Sequence, residues 1–362
     1  MTALGSETPV ELVRVDPASP GFARRRCGRG FSYTDVDGAR LTDPAEVGRI
    51  KALVIPPAWR DVWICPDPAG HIQAVGTDDA GRRQYLYHPE WRRRRDAEKH
   101  DRVLELGRRL ADVRVEVVRR LGERGLGRDR VLAAAVRMLD VGVFRAGGEQ
   151  YAPDGEDSDD SDTDDGTGGT FGLATLRREH VRLRRGAVCF SYPAKGGVPR
   201  TLELRDPLLR RVVNSLLRRR GGGEDLLAYR IRRDWHDVRS EDLNIAVKEL
   251  AGEAYTCKDL RTWNATVLAA ATLAAAAADG GVPNAARSRK RMINAAMTAV
   301  SEHLGNTPAV ARSSYVDPRV LERFEDGRTV LTSVRRLGDT DLADDTNRAA
   351  LERAVVRLIR SS

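Results

Sequence analysis

Hydrophobic positions along the chain change their period near residue 91. From Phe31 to His88 apolar residues come in short runs broken by Gly, Pro and Asp, the pattern of strands and turns. FSYTD, an Asp37-Gly38 turn and the residues to Leu41 read as a hairpin. DPAEVGRIKAL reads as a short helix with Pro44 in its first turn. VWICPDPAGHIQAVG and RRQYLYH read as further strands. The spacing therefore predicts a loose tail over 1–20 and a small mixed α/β domain over 21–91.

Beyond Trp91 the period becomes helical. Helices are predicted over Asp96–Leu121, Arg128–Phe144, Lys258–Ala278 and Asn284–Leu304, the last capped by Gly305. Another starts at Asp317-Pro318, and a final amphipathic helix spans Thr340–Ile359. Three β-like runs interrupt: FGLATL, HVRLRRGAVCFSY and PRTLEL. The last two flank Pro193–Pro199, which holds Gly196-Gly197 and reads as a hairpin tip. After Asp206 the pattern is helical almost to the end. The predicted class is α+β, with residues 92–362 forming a mainly α-helical domain that carries a small β-sheet. Residues 154–169 lack apolar side chains and read as an acidic disordered loop.

Charge sharpens this picture. Basic residues number 61 and acidic residues 53, a net of +8. Eight of the acids fall between Asp154 and Asp165, so the rest of the chain stands at +16. A protein this basic suits a polyanion partner. Only six of the bases are lysine. Arginine forks hold phosphate bidentately, which favours nucleic acid, although a general arginine bias gives the same excess. Thr262–Ala278 is too short and too alanine-rich to span a bilayer. MTALGSETPVELV carries no basic-then-apolar leader, so a cytoplasmic, nucleoid-associated location is expected. Cys27, Cys65, Cys189 and Cys257 are scattered and read as free thiols.

The common catalytic signatures are missing: there is no GxxxxGK[ST], GxGxxG after a strand, HExxH or GxSxG. No dense Asp/Glu/His cluster suggests a two-metal site. What stands out is a lysine, two arginines and a tyrosine. Lys195 sits in YPAKGG at the hairpin tip; in an arginine-preferring chain it is suited to proton donation, with an ordinary turn lysine as the bland alternative. Arg145 lies in FRAGGEQY at a helix end and Arg261 in TCKDLRTW at a helix start. Tyr315 lies in GNTPAVARSSYVDP before a proline-led helix. Taken singly, each fits a surface or packing role.

Together these strings resemble the type IB DNA topoisomerases, specifically the small poxvirus/bacterial branch. KDLRTW resembles the motif of one catalytic arginine, and NTPAVARSSY the segment that ends in the nucleophilic tyrosine. FRAGGEQYA resembles the first arginine motif, FGLATLRREHV the strand before the lysine hairpin, and VIPPAW with GRRQYLYHPEW the DNA-clamping domain. The likeness runs in order from about Gly30 to Asp326. It implies a clamp whose catalytic domain is of the topoisomerase IB/tyrosine recombinase type. Tyr315 matches the nucleophile, Arg145 and Arg261 the transition-state arginines, and Lys195 the hairpin lysine, although YPAKGG departs from the commoner F-G-K-x-G. Asn306 takes a position where many members carry histidine; an amide keeps the hydrogen bond but does not titrate. Tyr85, Tyr87, Tyr151 and Lys258 match DNA-contacting or site-supporting positions, and Arg92 and Arg93, in a basic run, are candidate DNA contacts by charge. The acidic stretch Asp154–Asp165 is outside the family pattern.

The resemblance implies relaxation of supercoiled duplex DNA through a 3′-phosphotyrosyl intermediate, by a monomer needing no cofactor, metal or ATP. Basic runs at Arg24–Arg26, Arg92–Arg95, Arg218–Arg220 and Arg287–Arg291 fit salt-sensitive phosphate contacts, or solvated faces. Two other readings stay open. A tyrosine recombinase shares the chemistry, but that family usually has HxxR where this chain has Lys258 three residues before Arg261. A non-catalytic DNA-binding protein would bind without forming a covalent adduct.

Overall fold

The computed structural model describes residues 11–147, 170–337 and 344–361. The chain divides into two compact units between Lys99 and His100. The first holds β1 (Phe22–Cys27), β2 (Gly30–Thr34), α1 (Pro44–Ala52), β3 (Arg60–Ile64), β4 (Ile72–Thr77) and β5 (Arg83–Tyr87). Its strands form one antiparallel sheet in the order β2-β1-β3-β4-β5. The Asp43 carboxylate accepts from the Ala45 N–H and Pro44 opens the helix, so α1 starts where the sequence predicts. Ile50 of α1 closes a small core with Ile55, Val62, Ile64 and Ala74.

Two details differ from the sequence reading. The strand at FSYTD pairs backwards with Phe22–Cys27 rather than forwards with residues up to Leu41. Asp35 explains why: its carboxylate accepts from the Asp37 and Ala39 N–H groups and folds 35–39 into a loop, leaving one bridge between Thr34 and Arg40. Within the stretch read as a loose tail, the Val13 N–H donates to Ala69 O and Val13 O accepts from His71.

The second unit follows α2 (Pro89–Leu121), whose first turns belong to the first unit, with α3 (Arg128–Gly142), β6 (Val181–Arg184), β7 (Ala187–Pro193) and β8 (Pro199–Leu204). Then come α4 (Pro207–Leu217), β9 (Ala228–Ile231), β10 (Asp234–Asp237), α5 (Ser240–Ala251), α6 (Cys257–Ala276) and α7 (Ala286–Leu304). The short α8 (Pro308–Val310), α9 (Pro318–Glu325), α10 (Leu331–Leu337) and α11 (Asp345–Arg360) complete it. Strands β6-β7-β8 form an antiparallel sheet and β9-β10 a hairpin. The α+β class is as predicted.

Helix α2 starts at Pro89 rather than Asp96, because Glu90 pairs with Arg93 and Arg94 and carries the helix through the four-arginine run. FGLATL is not a strand. It makes a 3₁₀ turn at Leu173–Thr175, its N–H groups donating to Arg145 O and Ala146 O. Gly172 and Gly147 meet backbone to backbone there; a Cβ on Gly172 would lie 2.3 Å from Gly147 Cα. The β9-β10 hairpin interrupts a stretch expected to be helical.

One large core fills this unit, with Trp263, Phe144, Phe190 and Phe324 among its fully buried side chains. Trp263 packs on α2 at Gly107, where any Cβ would collide with the indole. A buried ion network joins four helices. Arg114 of α2 pairs with Asp140 of α3 at 2.8 Å and with Glu352 of α11 at 2.7 Å. Arg348 of α11 reaches Asp140 at 3.0 Å, and Trp263 of α6 donates to Glu352 at 3.2 Å.

Candidate active site

Two helix ends build the site. A helix leaves its last carbonyls without intrahelical partners. Helix α3 ends with Val143 in the left-handed region (φ 49°), and α7 ends with Gly305 there (φ 67°), as the sequence predicts for Gly305. Arginines from other elements take the exposed carbonyls. Arg261 of α6 donates to Val143 O and, at 3.0 Å, to Leu304 O. Arg200 of β8 donates to Gly142 O at 3.0 Å, His303 O at 3.1 Å, and Val143 O and Leu304 O at 3.3 Å. Arg145, three residues past α3, donates to Gly305 O at 3.2 Å. Three guanidiniums thus gather along one seam.

Local sequence sets each of them. The Thr256 N–H donates to the Asp259 carboxylate at 2.9 Å, and Arg102 pairs with Asp259, so the start of α6 is fixed and Arg261 follows one turn later. Arg261 is 2% exposed. Its guanidinium carbon lies 5.5 Å from the centre of the Tyr315 ring. Tyr315 ends a π-helical turn, Ala311–Tyr315, in which the Val316 N–H reaches back to Ala311 O at 3.0 Å. Such turns recur at functional sites because they rotate one side chain off the α-helical register. Thr266, on the same helix as Arg261, lies 3.3 Å from Tyr315 O and accepts the Asp317 N–H at 3.1 Å. One helix therefore positions both the arginine and the tyrosine main chain. Tyr315 is buried, at 4% exposure.

Asn306 follows the α7 cap, its N–H donating to Ser301 O at 3.0 Å. Its Oδ1 and Nδ2 are buried, and neither has a hydrogen-bond partner among the described residues. A buried amide in that state costs about 1–3 kcal/mol, a cost that a ligand oxygen accepting from it relieves. Lys195 stands half-exposed at the β7-β8 tip, where the sequence places it, between Pro193 and Pro199. Tyr192, three residues earlier, is buried; desolvation pushes its phenol up while Arg200, Arg261 and Arg145 pull it down. The hairpin's tie to the arginine seam runs through Tyr192 and Arg200. Burial also pushes Arg200 below the usual arginine value.

Lys258 sits half-buried in the first turn of α6. Tyr85 and Tyr87 lie in the other unit, on one face of β5, with ring centres 6.1 Å apart and nearly parallel. Arg92 and Arg93 are exposed on α2, Arg93 being paired with Glu90 at 2.7 Å. Tyr151 and the acidic stretch lie outside the described residues. Among the described residues no three His, Cys, Asp or Glu side chains are grouped to hold a metal ion, and no helix is long and apolar enough to cross a membrane.

The sequence reading missed Arg200, Tyr192 and Thr266. Arg200 left a signal: it shares the inward face of β8 with Leu202 and Leu204, an odd place for a charge. Thr266 left none, since one threonine in an alanine-rich helix is unremarkable.

The family model for the catalytic core of eukaryotic DNA topoisomerase I matches residues 88–333, and that for the N-terminal domain of bacterial DNA topoisomerase IB matches residues 30–78. DNA topoisomerase 1B of Acanthamoeba polyphaga mimivirus is 27% identical over 311 residues, covering 84% of this chain and 88% of that protein. With most of the second unit and much of the first matched in order, this chain belongs to the type IB DNA topoisomerase family.

Proposed function

We propose that the protein relaxes supercoiled duplex DNA by cutting one strand through a 3′-phosphotyrosyl bond to Tyr315, letting it rotate, and resealing it. The observation that carries this reading is the Arg261 guanidinium 5.5 Å from the Tyr315 ring, with both held by helix α6. The Tyr315 phenol oxygen attacks phosphorus, and the bond to the 5′-oxygen breaks. Lys195 gives its proton to that poor leaving group. Arg261 and Arg145 offset the charge growing on the non-bridging oxygens, and the Asn306 Nδ2 donates to one of them. Its buried, unsatisfied amide supports that role.

Resealing is the reverse, with the 5′-hydroxyl attacking the phosphotyrosine. The energy of the broken bond is kept in the covalent link, so ATP has no work to do. Arginines supply the cationic stabilisation that a metal provides in other phosphoryl-transfer enzymes. This reading has the protein act as a monomer. Tyr85, Tyr87, Lys258 and Arg92 serve as DNA contacts on this reading, with salt-sensitive affinity.

The test is relaxation of supercoiled plasmid in EDTA without ATP. Wild-type protein is expected to relax it, and Tyr315→Phe to bind DNA without relaxing it. Relaxation that needs added metal or ATP, or that survives in Tyr315→Phe, contradicts the proposal.

A further inference from the structure

We infer that Arg200 is a positioning residue for proton delivery: it fixes the hairpin that carries Lys195 to the helix ends that carry Arg145 and Asn306. The inference rests on the reading of Lys195 as the proton donor.

The hairpin tip is short, and the Phe171 N–H ties its base by donating to Pro193 O at 2.9 Å. Residues 194–198 close through two main-chain bonds, Ala194 N–H to Val198 O and Gly197 N–H to Ala194 O. Gly196 and Gly197 both have φ of 73°, and a Cβ on either would meet nothing within 4 Å. Strand β8 is the edge of its sheet, paired on one side by β7 alone. Proton transfer, however, needs the donor within about 3 Å of the leaving oxygen, and a displacement of about 1 Å can cost a hundredfold.

Arg200 supplies the anchor that ties the hairpin to the two helix ends. It lies in register with Tyr192, one residue beyond the Pro193–Pro199 pair that opens the tip. Its guanidinium bonds four carbonyls on two helices: Gly142 and Val143 at the end of α3, His303 and Leu304 at the end of α7. Two of those carbonyls, Val143 O and Leu304 O, also hold Arg261. The hairpin and the transition-state arginine are thus registered against the same two atoms. The ionisable groups acting on Arg200 are Tyr192 and Arg145, and no carboxylate is among them. Its Nη1 also lies so near Gly305 that a Cβ there would come within 3.4 Å. A lysine keeps the charge but cannot reach four carbonyls through one fork.

The experiment compares two duplex substrates in single-turnover cleavage. One has the ordinary 5′-oxygen leaving group; the other has sulfur in that bridging position. When the P–S bond breaks, the electron pair leaves with sulfur as a stable thiolate that needs no proton. Arg200→Gln and Arg200→Lys are expected to cleave the oxygen substrate about 10- to 100-fold more slowly than wild type, and the sulfur substrate within about threefold of it. DNA affinity should stay unchanged. Lys195→Ala serves as the control and should show the same selective rescue. Equal slowing on both substrates, or wild-type cleavage of the oxygen substrate, overturns the role of Arg200. If Lys195→Ala is itself not rescued, the reading of Lys195 fails, and the inference falls with it. Should Arg200→Gln prove unfolded by circular dichroism, Arg200→Lys, which keeps the stem and the charge, carries the test.

Discussion

Helix α3 carries arginine chemistry of two kinds, less than two turns apart. On its flank, Arg114, Arg137 and Arg348 meet carboxylates: Asp140 and Glu352 for Arg114, Asp206 and Asp345 for Arg137, Asp140 again for Arg348. At its C-terminal end, Arg200, Arg261 and Arg145 donate to main-chain carbonyls. A carboxylate cancels the charge of a guanidinium, whereas a carbonyl holds it in place and leaves the charge to act outward. The first cluster locks α11 onto the catalytic unit. The second presents positive charge along a seam beside a buried tyrosine. The two clusters thus differ in partner: carboxylates on the flank, main-chain carbonyls at the helix end, where the charge is left uncancelled.

The largest expected effect breaks the first cluster. Arg114→Met leaves Asp140 and Glu352 buried with fewer partners, and removing one member of such a pair typically costs about 3–5 kcal/mol. Urea unfolding should show that loss; an unchanged midpoint means the flank cluster is not structural. Next comes the second cluster. Arg261→Lys keeps one charge and loses the fork, and single-turnover cleavage should fall about 10²–10³-fold. Its unfolding midpoint should move less than that of Arg114→Met. The reverse ranking for these two variants ends the distinction between the two clusters.

A smaller effect is expected at Asn306. Asn306→Ala removes one donor and should slow cleavage by about 10- to 100-fold, in keeping with a hydrogen bond to a charged group at roughly 1.5–3 kcal/mol. Asn306→His should retain activity and bring in a pH dependence near 6–7 that the wild-type amide lacks. A flat profile in that variant removes Asn306 from the oxygen-binding role.

The smallest effect is a slope. Burial pushes the Asp140 carboxyl up, but the charges of Arg348, Arg114 and Arg137 outweigh it and hold it well below the usual carboxylate range. An unfolded carboxyl titrates near pH 4. The stabilisation is therefore complete above about pH 4 and is lost as pH falls below it. Stability measured from pH 6 down should drop more steeply for wild type than for Arg114→Met. Parallel curves mean that Asp140 gains nothing from Arg114.

Sequence alone made the positions of the candidate residues legible through short motifs: KDLRTW placed Arg261 on a helix start, and YPAKGG placed Lys195 on a hairpin tip. Gly305 and Asp317-Pro318 announced helix ends through cap chemistry that depends on a few neighbours. What stayed hidden depends on distant partners. FGLATL has strand composition, yet its main chain bonds to residues 145–146 and the Gly147–Gly172 contact makes it turn. The carbonyls that bind Arg200 belong to residues 57, 58, 103 and 104 positions away, and no local pattern marks a main-chain acceptor. The flank network was equally silent, since Arg114 and Glu352 are 238 residues apart.

The most direct check is to locate the covalent bond. A duplex labelled on the strand whose 3′-phosphate should be captured is cleaved, the reaction is stopped by denaturation, and the protein is digested and mapped by mass spectrometry. The expected result is a single nucleotide-bearing peptide, with the 3′-phosphate on Tyr315. An adduct on Tyr192 or any other residue, or one joined through a 5′-phosphate, contradicts the account.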